Sequence, residues 1–302
     1  MAQAIKEEGA LGQKSQLELL KRERRSNNAF HKFMRNKTAV FGLLIVMIMV
    51  CFALFSPWIA THDPNELHLS EMNLTPGQNG YLLGTDEYGR DLFSRLVYGA
   101  RVSITAAVGG TLVGGLIGCV LGLIAGYNGG LIDSFIMRCM DGMFAFPFIL
   151  LAIFLMTIFG SGLFNVILAI GIANVPKFSR VVRGQVSILK NEEYCNVERV
   201  LGASGFRIVV KHILPNALSP IIVYATLNIA TAILAESALS FLGLGILPPT
   251  PSWGNILEGG KDCLNTAPHI STISGLFIML TVLGFNLFGD GVRDVLDPKM
   301  KR

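Results

Sequence analysis

Five stretches of this chain run unbroken by any charged side chain: Thr38 to Thr61, Val102 to Ile132, Gly142 to Pro176, His212 to Ala235 and Cys263 to Gly289. Each exceeds the ~20 residues that an apolar helix needs to cross hydrocarbon. The third contains Gly160-Ser161-Gly162 and is long enough for two helices joined by a tight turn. The expectation is an all-α integral membrane fold of six transmembrane helices, near residues 39–60, 102–125, 135–159, 163–183, 215–240 and 269–289. Composition agrees, with 51% of residues hydrophobic and 15% charged, where a soluble domain carries roughly a quarter charged. The first run follows a basic segment too long for an ordinary signal peptide, so it reads as a retained anchor.

The 25 Lys and Arg residues give the orientation. Nine precede the first span, one is Arg138, seven lie between Lys177 and Lys211, and four follow Asp290. Arg90, Arg95, Arg101 and Lys261 remain outside or at the outer boundary. Positive charge is retained on the cytoplasmic side, which puts both termini in the cytoplasm. The chain then divides into a cytoplasmic segment 1–37, a first helix 38–61, an extracytoplasmic loop 62–101, a five-helix core 102–290 that carries a cytoplasmic loop at 184–214, and a tail 291–302. Residues up to Ser26 are polar, and Phe30 to Lys37 suits a helix along the inner leaflet. A basic arm for nucleic acid over residues 21–37 would share that composition, but the charge follows the membrane boundaries, so lipid and not nucleic acid is the expected contact. Cys51, Cys119, Cys139, Cys195 and Cys263 are scattered, which supports neither a disulfide framework nor a zinc site.

A charged insert, EYCNVERVLGASGFRIVVKHILPN from Glu193 to Asn216, interrupts the apolar spans. Tyr194, Val197, Val200 and Leu201 recur at helical spacing while Glu192, Glu193, Asn196 and Arg199 take other faces, so a short helix with one apolar stripe is expected. Gly202-Ala203-Ser204-Gly205 breaks it, Phe206 to Ile213 makes a second run, and Pro215 suits the first turn of a new helix. By pattern alone the insert could lie on lipid headgroups. Tyr194, Leu201-Gly202-Ala203-Ser204, Arg207-Ile208 and His212-Ile213-Leu214-Pro215-Asn216 also resemble the cytoplasmic EAA loop of type I ABC importer permeases, with Asn196, Val197 and Glu198 where Glu-Ala-Ala is usual. Three more blocks are similar to the dipeptide, oligopeptide and nickel subgroup, which includes glutathione permeases. They are LLGTDEYGRDLFSRLVYGARVS, AESALSFLGLG followed by PPTPSWG, and LTVLGFNLFGDGVRDVLDPK.

The resemblance implies a type I ABC importer permease fold for a non-catalytic subunit in a bacterial or archaeal cytoplasmic membrane. Its cargo would be dipeptides or oligopeptides, or else nickel, glutathione or another small solute. Its implied partners are a second homologous permease, two ATPase subunits and an extracytoplasmic solute-binding protein. ATP and magnesium would sit on the ATPases, and no cofactor on this chain. The residues implied to couple to the ATPase are Glu193, Tyr194, Asn196, Val197, Val200, Leu201, Gly202, Ala203, Ser204 and Arg207.

Gly110, Gly114, Gly118, Gly122 and Gly126 share one helix face, where another helix can approach closely, either within the chain or from a partner. Glu236 is the one acidic residue well inside an expected span, a placement that costs about 2.5–3.5 kcal/mol unless it faces protein or water. The resemblance gives it a structural or gate-region role, and a proton-coupled carrier driven by an ion gradient is the rival from another class. Asp86, Glu87 and Asp91 could hold a cation, but the interleaved Arg90 and Arg95 favour ion pairing. Gly202-Ala203-Ser204-Gly205 also resembles the serine motif of rhomboid proteases, yet Ser204 sits in a charged loop without a suitable base. Around Gly260-Lys261-Asp262 a phosphate loop would need glycine at Asn255 and Ser or Thr at Asp262, so this motif does not bind ATP.

Overall fold

The computed structural model describes residues 29–296. The expected cytoplasmic segment as far as residue 28, and residues 297–302 of the tail, lie outside the described residues. Helices α1 (Ala29–Arg35) and α2 (Lys37–Ile59) are separated by Asn36 alone. Its Oδ1 accepts from the amides of Thr38 and Ala39 at 3.2 Å, capping α2. The chain continues through α3 (Leu92–Asn128), α4 (Gly130–Phe144), α5 (Phe148–Phe159), α6 (Leu163–Leu189), α7 (Glu193–Val200), α8 (Gly205–Ile208), α9 (Leu214–Phe241), α10 (Trp253–Lys261) and α11 (Pro268–Leu296). Among the described residues the only strand-like pairing is an isolated bridge between Thr85 and Asp91.

Helices α2, α3, α6, α9 and α11 are each long and apolar enough to cross a membrane, and α4 with α5 supplies a sixth candidate crossing bent by 88°. The straight span expected near 135–159 is therefore two helices. Pro147 sits at the bend as the N-cap of α5, where its missing N–H interrupts no helix ladder. The bent pair hangs on α6 through cations one turn apart. Arg183 makes a two-bond contact with Asp133 at 2.6 and 2.5 Å, Arg180 reaches Asp141 at 2.5 Å and lies over the Phe144 ring, and Lys177 lies over the Phe148 ring.

Helix α3 begins at Leu92, ten residues before the span expected from charge-free sequence, because Arg95 and Arg101 are tolerated in its first turns. At 1.5 Å per residue it is about 55 Å long, well beyond the ~30 Å hydrocarbon core. Asp91 caps it by accepting from the Ser94 amide at 3.0 Å, and Thr61 at the end of the first span donates to the same carboxylate at 2.8 Å. Arg95 is buried, with its charge met by Asp86 at 3.2 Å and by the Pro64 carbonyl at 2.9 Å. Arg90 pairs with Asp86 at 2.7 Å and Glu87 at 3.2 Å. These carboxylates are committed to arginines and to a helix cap. In the same segment Tyr81 donates to Glu71 at 2.7 Å, which holds the Glu71 carboxyl below its ordinary value and pushes the phenol up to about 12. Gly89, at φ +75°, turns the chain where any Cβ would strike the His68 carbonyl.

The glycine face of α3 lies against α6. A Cβ at Gly110 would meet Ile170 at 2.8 Å, at Gly114 the Gly171 carbonyl at 2.6 Å, at Gly122 the Ser179 carbonyl at 2.7 Å, and at Gly126 Val186 at 2.7 Å; at Gly118 it would overlap Phe178. The contact is within the chain, so these glycines are covered and face no partner subunit. Helices α2 and α11 meet in the same way at Gly42, Gly284 and Gly291, a second small-residue contact that the sequence reading did not single out. Outside the membrane, α10 starts from a capping box of Ser252 and Asn255. It seats the fully buried Trp253 against Gly99, with its indole N–H donating to the Leu96 carbonyl at 3.0 Å.

Gly118→Ala is expected to destabilise the purified protein by about 1–3 kcal/mol, because the α3–α6 backbone contact leaves no room to relax. Gly115→Ala, whose methyl would sit 3.5 Å from Phe178, should be neutral or gain up to roughly 1 kcal/mol of helix propensity. Thermal unfolding in detergent separates the two, and equal losses would remove the glycine contact from its place in the fold.

Glu87 gives a pH test. Burial, and then the neighbouring Asp86, hold its carboxyl above the ordinary value. A group raised in the folded state stabilises in its protonated form; that contribution is present below the unfolded pKa and is lost as pH rises through the folded one. Glu87→Gln should therefore flatten the decline in stability that the wild type shows across that window. A decline of the same size in both proteins would exclude Glu87 as its source.

Candidate functional site

Helix α7 ends in a glycine turn set by backbone chemistry. Gly202 takes φ +83°, its N–H bonds the Arg199 carbonyl at 3.1 Å, and the Ala203 N–H bonds the Glu198 carbonyl at 3.0 Å. These two bonds satisfy the Glu198 and Arg199 carbonyls in a Schellman motif, whose left-handed residue is normally glycine. No atom lies within 4 Å of where a Gly202 Cβ would stand, so positive φ, and not close approach within the chain, calls for glycine here. Ser204 then caps α8 by accepting from the Arg207 amide at 3.4 Å, and Gly205 fits against Tyr127 at the cytoplasmic end of α3. Ser204 is thus engaged as a cap.

The segment is pinned by a small second core in which Cys195, Ile208 and Ile213 pack with Val182 and Val186 of α6 and with Ala217 and Ile221 of α9. Cys195 is fully buried and its thiol is pushed up by that burial, which makes it a packing residue and not a nucleophile. The expected apolar stripe points the other way. Val197 is exposed, Val200 and Leu201 are 88% and 76% exposed, and Phe206 joins them at 80%. Beside this rim Glu192, Glu193, Tyr194, Val197, Glu198 and His212 line a concavity, in which His212 approaches Glu198 at 3.4 Å and its ring lies 6.4 Å from that of Tyr194. Asn196 turns back on its own helix, donating to the Asn191 carbonyl at 3.3 Å and accepting from Arg199 at 3.0 Å. Arg207 is exposed on α8.

The structure thus gathers the ten expected coupling residues into one cytoplasmic knuckle. Phe206 and His212, which the sequence places in the second run, and the anchor Cys195 were not among the ten. The lone cysteine among charged residues was the available signal for the anchor. Helix α9 starts with Pro215 in its first turn, as expected. A π-type turn over Val209–Ile213 carries α8 directly into it. Glu236, expected within a span, lies near the outer end of α9. It is fully buried, accepts from Ser240 at 2.8 Å, and is surrounded by Ser103, Ser237 and Ser252, so it faces protein.

A family model described as a binding-protein-dependent transport system inner membrane component matches residues 118–302. A second, the N-terminal TM domain of oligopeptide transport permease C, matches residues 26–76. The chain belongs to this family of inner-membrane permeases of binding-protein-dependent transport systems, and it is a multi-pass protein of the cytoplasmic membrane. More particularly, it is 43% identical over 278 residues to the di/tripeptide transport system permease protein DppC of Pseudomonas aeruginosa, covering 90% of this chain and 91% of that one. It is 46% identical over 276 residues to the dipeptide permease DppC of Alkalihalophilus pseudofirmus, and 42% identical over 273 residues to the glutathione permease GsiD of Pectobacterium atrosepticum, each covering 90% of both chains. A chain of the methionine ABC transporter MetNI, in an inward-facing form, shares the fold at a TM-score of 0.53 and 21% identity over 68% of this chain and 97% of that one.

The turn is testable by hydrogen exchange. Gly202→Ala should speed exchange of the Gly202 and Ala203 amides by roughly tenfold, because a Cβ in the left-handed region costs about 1–2 kcal/mol. Gly202→Asn, which tolerates that region, should change them far less. Unchanged protection in Gly202→Ala would show that positive φ is not what the site demands.

Proposed function

We propose that this chain forms one half of the membrane path of an ATP-driven importer of dipeptides or oligopeptides. Glutathione is the second reading, since a relative of nearly equal similarity carries that name. The observation that carries the proposal is the set of large apolar side chains, Val200, Leu201 and Phe206, held in water at the end of a capped helix. Exposed apolar groups fixed in this way suit a partner protein. The partners are a second permease of the same family, two ATPases that hold ATP and magnesium, and a solute-binding protein on the outer side. Closure of the ATPases moves the knuckle, and rigid movement of the helices it is joined to alternates access to the path. This chain contributes no catalytic group.

The test is reconstitution with the partners encoded alongside it. Proteoliposomes holding the whole complex should take up labelled dipeptide only with internal ATP and external binding protein, whereas the chain alone should transport nothing. Leu201→Asp or Gly202→Asp should leave membrane insertion intact and lose ATPase retention, or hydrolyse ATP without uptake. Uptake by the chain alone under an ion gradient would overturn this reading in favour of a secondary carrier.

A further inference from the structure

Where α3, α6 and α9 meet inside the membrane, three polar side chains form a short chain of hydrogen bonds. Thr111 of α3 donates to the Asn228 carbonyl oxygen of α9 at 3.3 Å, and the Asn228 amide donates to the Asn174 carbonyl oxygen of α6 at 3.2 Å. All three side chains are buried, and the Asn174 Nδ2, at the far end, meets no hydrogen-bond partner among the described residues. The Ser179 hydroxyl, further along α6 toward the cytoplasm, is also buried and without a partner. An idle donor in a lipid-surrounded core is costly, and such a group in a native fold calls for a physical reason.

Location supplies one. Asn174 sits at the α3–α6 backbone contact, since a Cβ on Gly114 would lie 2.9 Å from its Cβ. That contact is too tight to slide. Helix α9 meets the pair with larger side chains, Ala217 and Ile221 against Val182 and Val186 and Tyr224 against Phe178 at 4.8 Å, and carries this bonded chain between them and its outer end. Its cytoplasmic end is continuous with the coupling segment through the turn at Val209–Ile213, so displacement of the knuckle becomes displacement of α9. Among the bonds that resist it are the two long ones at Asn228. Tyr224 lies one turn nearer the cytoplasm on the same face as Asn228. Its hydroxyl stands beside the Asn228 side chain.

We propose that Asn228, held between Thr111 and Asn174, is a positioning residue for transport: it latches α9 to the α3–α6 pair in one state and releases it in the other. The latch rests on the ATP-driven reading given above. Its contribution is to the coupling of hydrolysis to movement, and it touches neither nucleotide nor ATPase. A purely structural role would instead lower the amount of assembled complex and leave each assembled complex unchanged.

The measurement is dipeptide uptake per ATP hydrolysed, in proteoliposomes normalised to assembled complex. The wild-type complex must first show ATP-dependent uptake, and its failure there would sink the importer reading and not the latch. Given that activity, Asn228→Leu should lower uptake per ATP by about tenfold, within the range by which coupling residues act. Thr111→Val, which removes one hydroxyl at constant shape and is expected to assemble normally, should lower it about threefold. Asn228→Ser, which keeps a donor and acceptor, should recover part of the loss. Wild-type uptake per ATP in Thr111→Val, or in an assembled Asn228→Leu complex, would overturn the proposal.

Discussion

The backbone of α3 pressed against the backbone of α6 is the contact on which the rest of the membrane core depends. In water, helices are held together by moving apolar surface out of solvent, but lipid tails offer a leucine nothing worse than another helix does. What remains is dispersion at close range, and glycines at every fourth position let carbonyls and side chains of α6 enter the surface of α3. The same means joins α2 to α11 at Gly42 and Gly284. Two stiff pairs result, with α9 running between them and packed on both.

The cytoplasmic knuckle is anchored to that core. Cys195, Ile208 and Ile213 bind it to the bases of α6 and α9, so it travels with helices and not as a free loop. Its apolar rim is turned away from that anchor and is left in water by its own fold. The Schellman turn at Gly202 closes the end of α7 on its own backbone, leaving Val200 and Leu201 exposed.

Much of this was legible in the sequence because lipid imposes simple rules. Absence of charge located the spans, and the four-residue glycine period identified a close-packed face. The start of α3 was misplaced where charge is tolerated by structure: Arg101 bounds the charge-free run, yet the helix continues outward past it to Arg95, whose charge is met by Asp86 and the Pro64 carbonyl. The bend at Pro147 was hidden because nothing charged marks it, and α10 because nine amphipathic residues fall short of a span, although the Ser252–Asn255 pair signals its start. In the charged cytoplasmic insert, helical spacing gave Tyr194, Val197, Val200 and Leu201 as one stripe. It could not say that Cys195 would face inward and the stripe outward, since both faces are apolar and only the tertiary anchor decides between them.

The ion cluster on the outer side has a consequence for life in variable surroundings. Surface ion pairs weaken as salt rises, because the screening length is only about 8–10 Å at moderate ionic strength. Asp86 and Arg95, at 1% and 2% exposure, are shielded from that medium by the protein itself. The inner pair of Arg180 and Asp141 is about half exposed, but it meets the regulated salt of the cytoplasm. The buried cluster at Asp86 and Arg95 thus keeps its geometry whatever the salt outside, and the outer pair that salt can loosen is the exposed Lys261–Glu258 contact on α10.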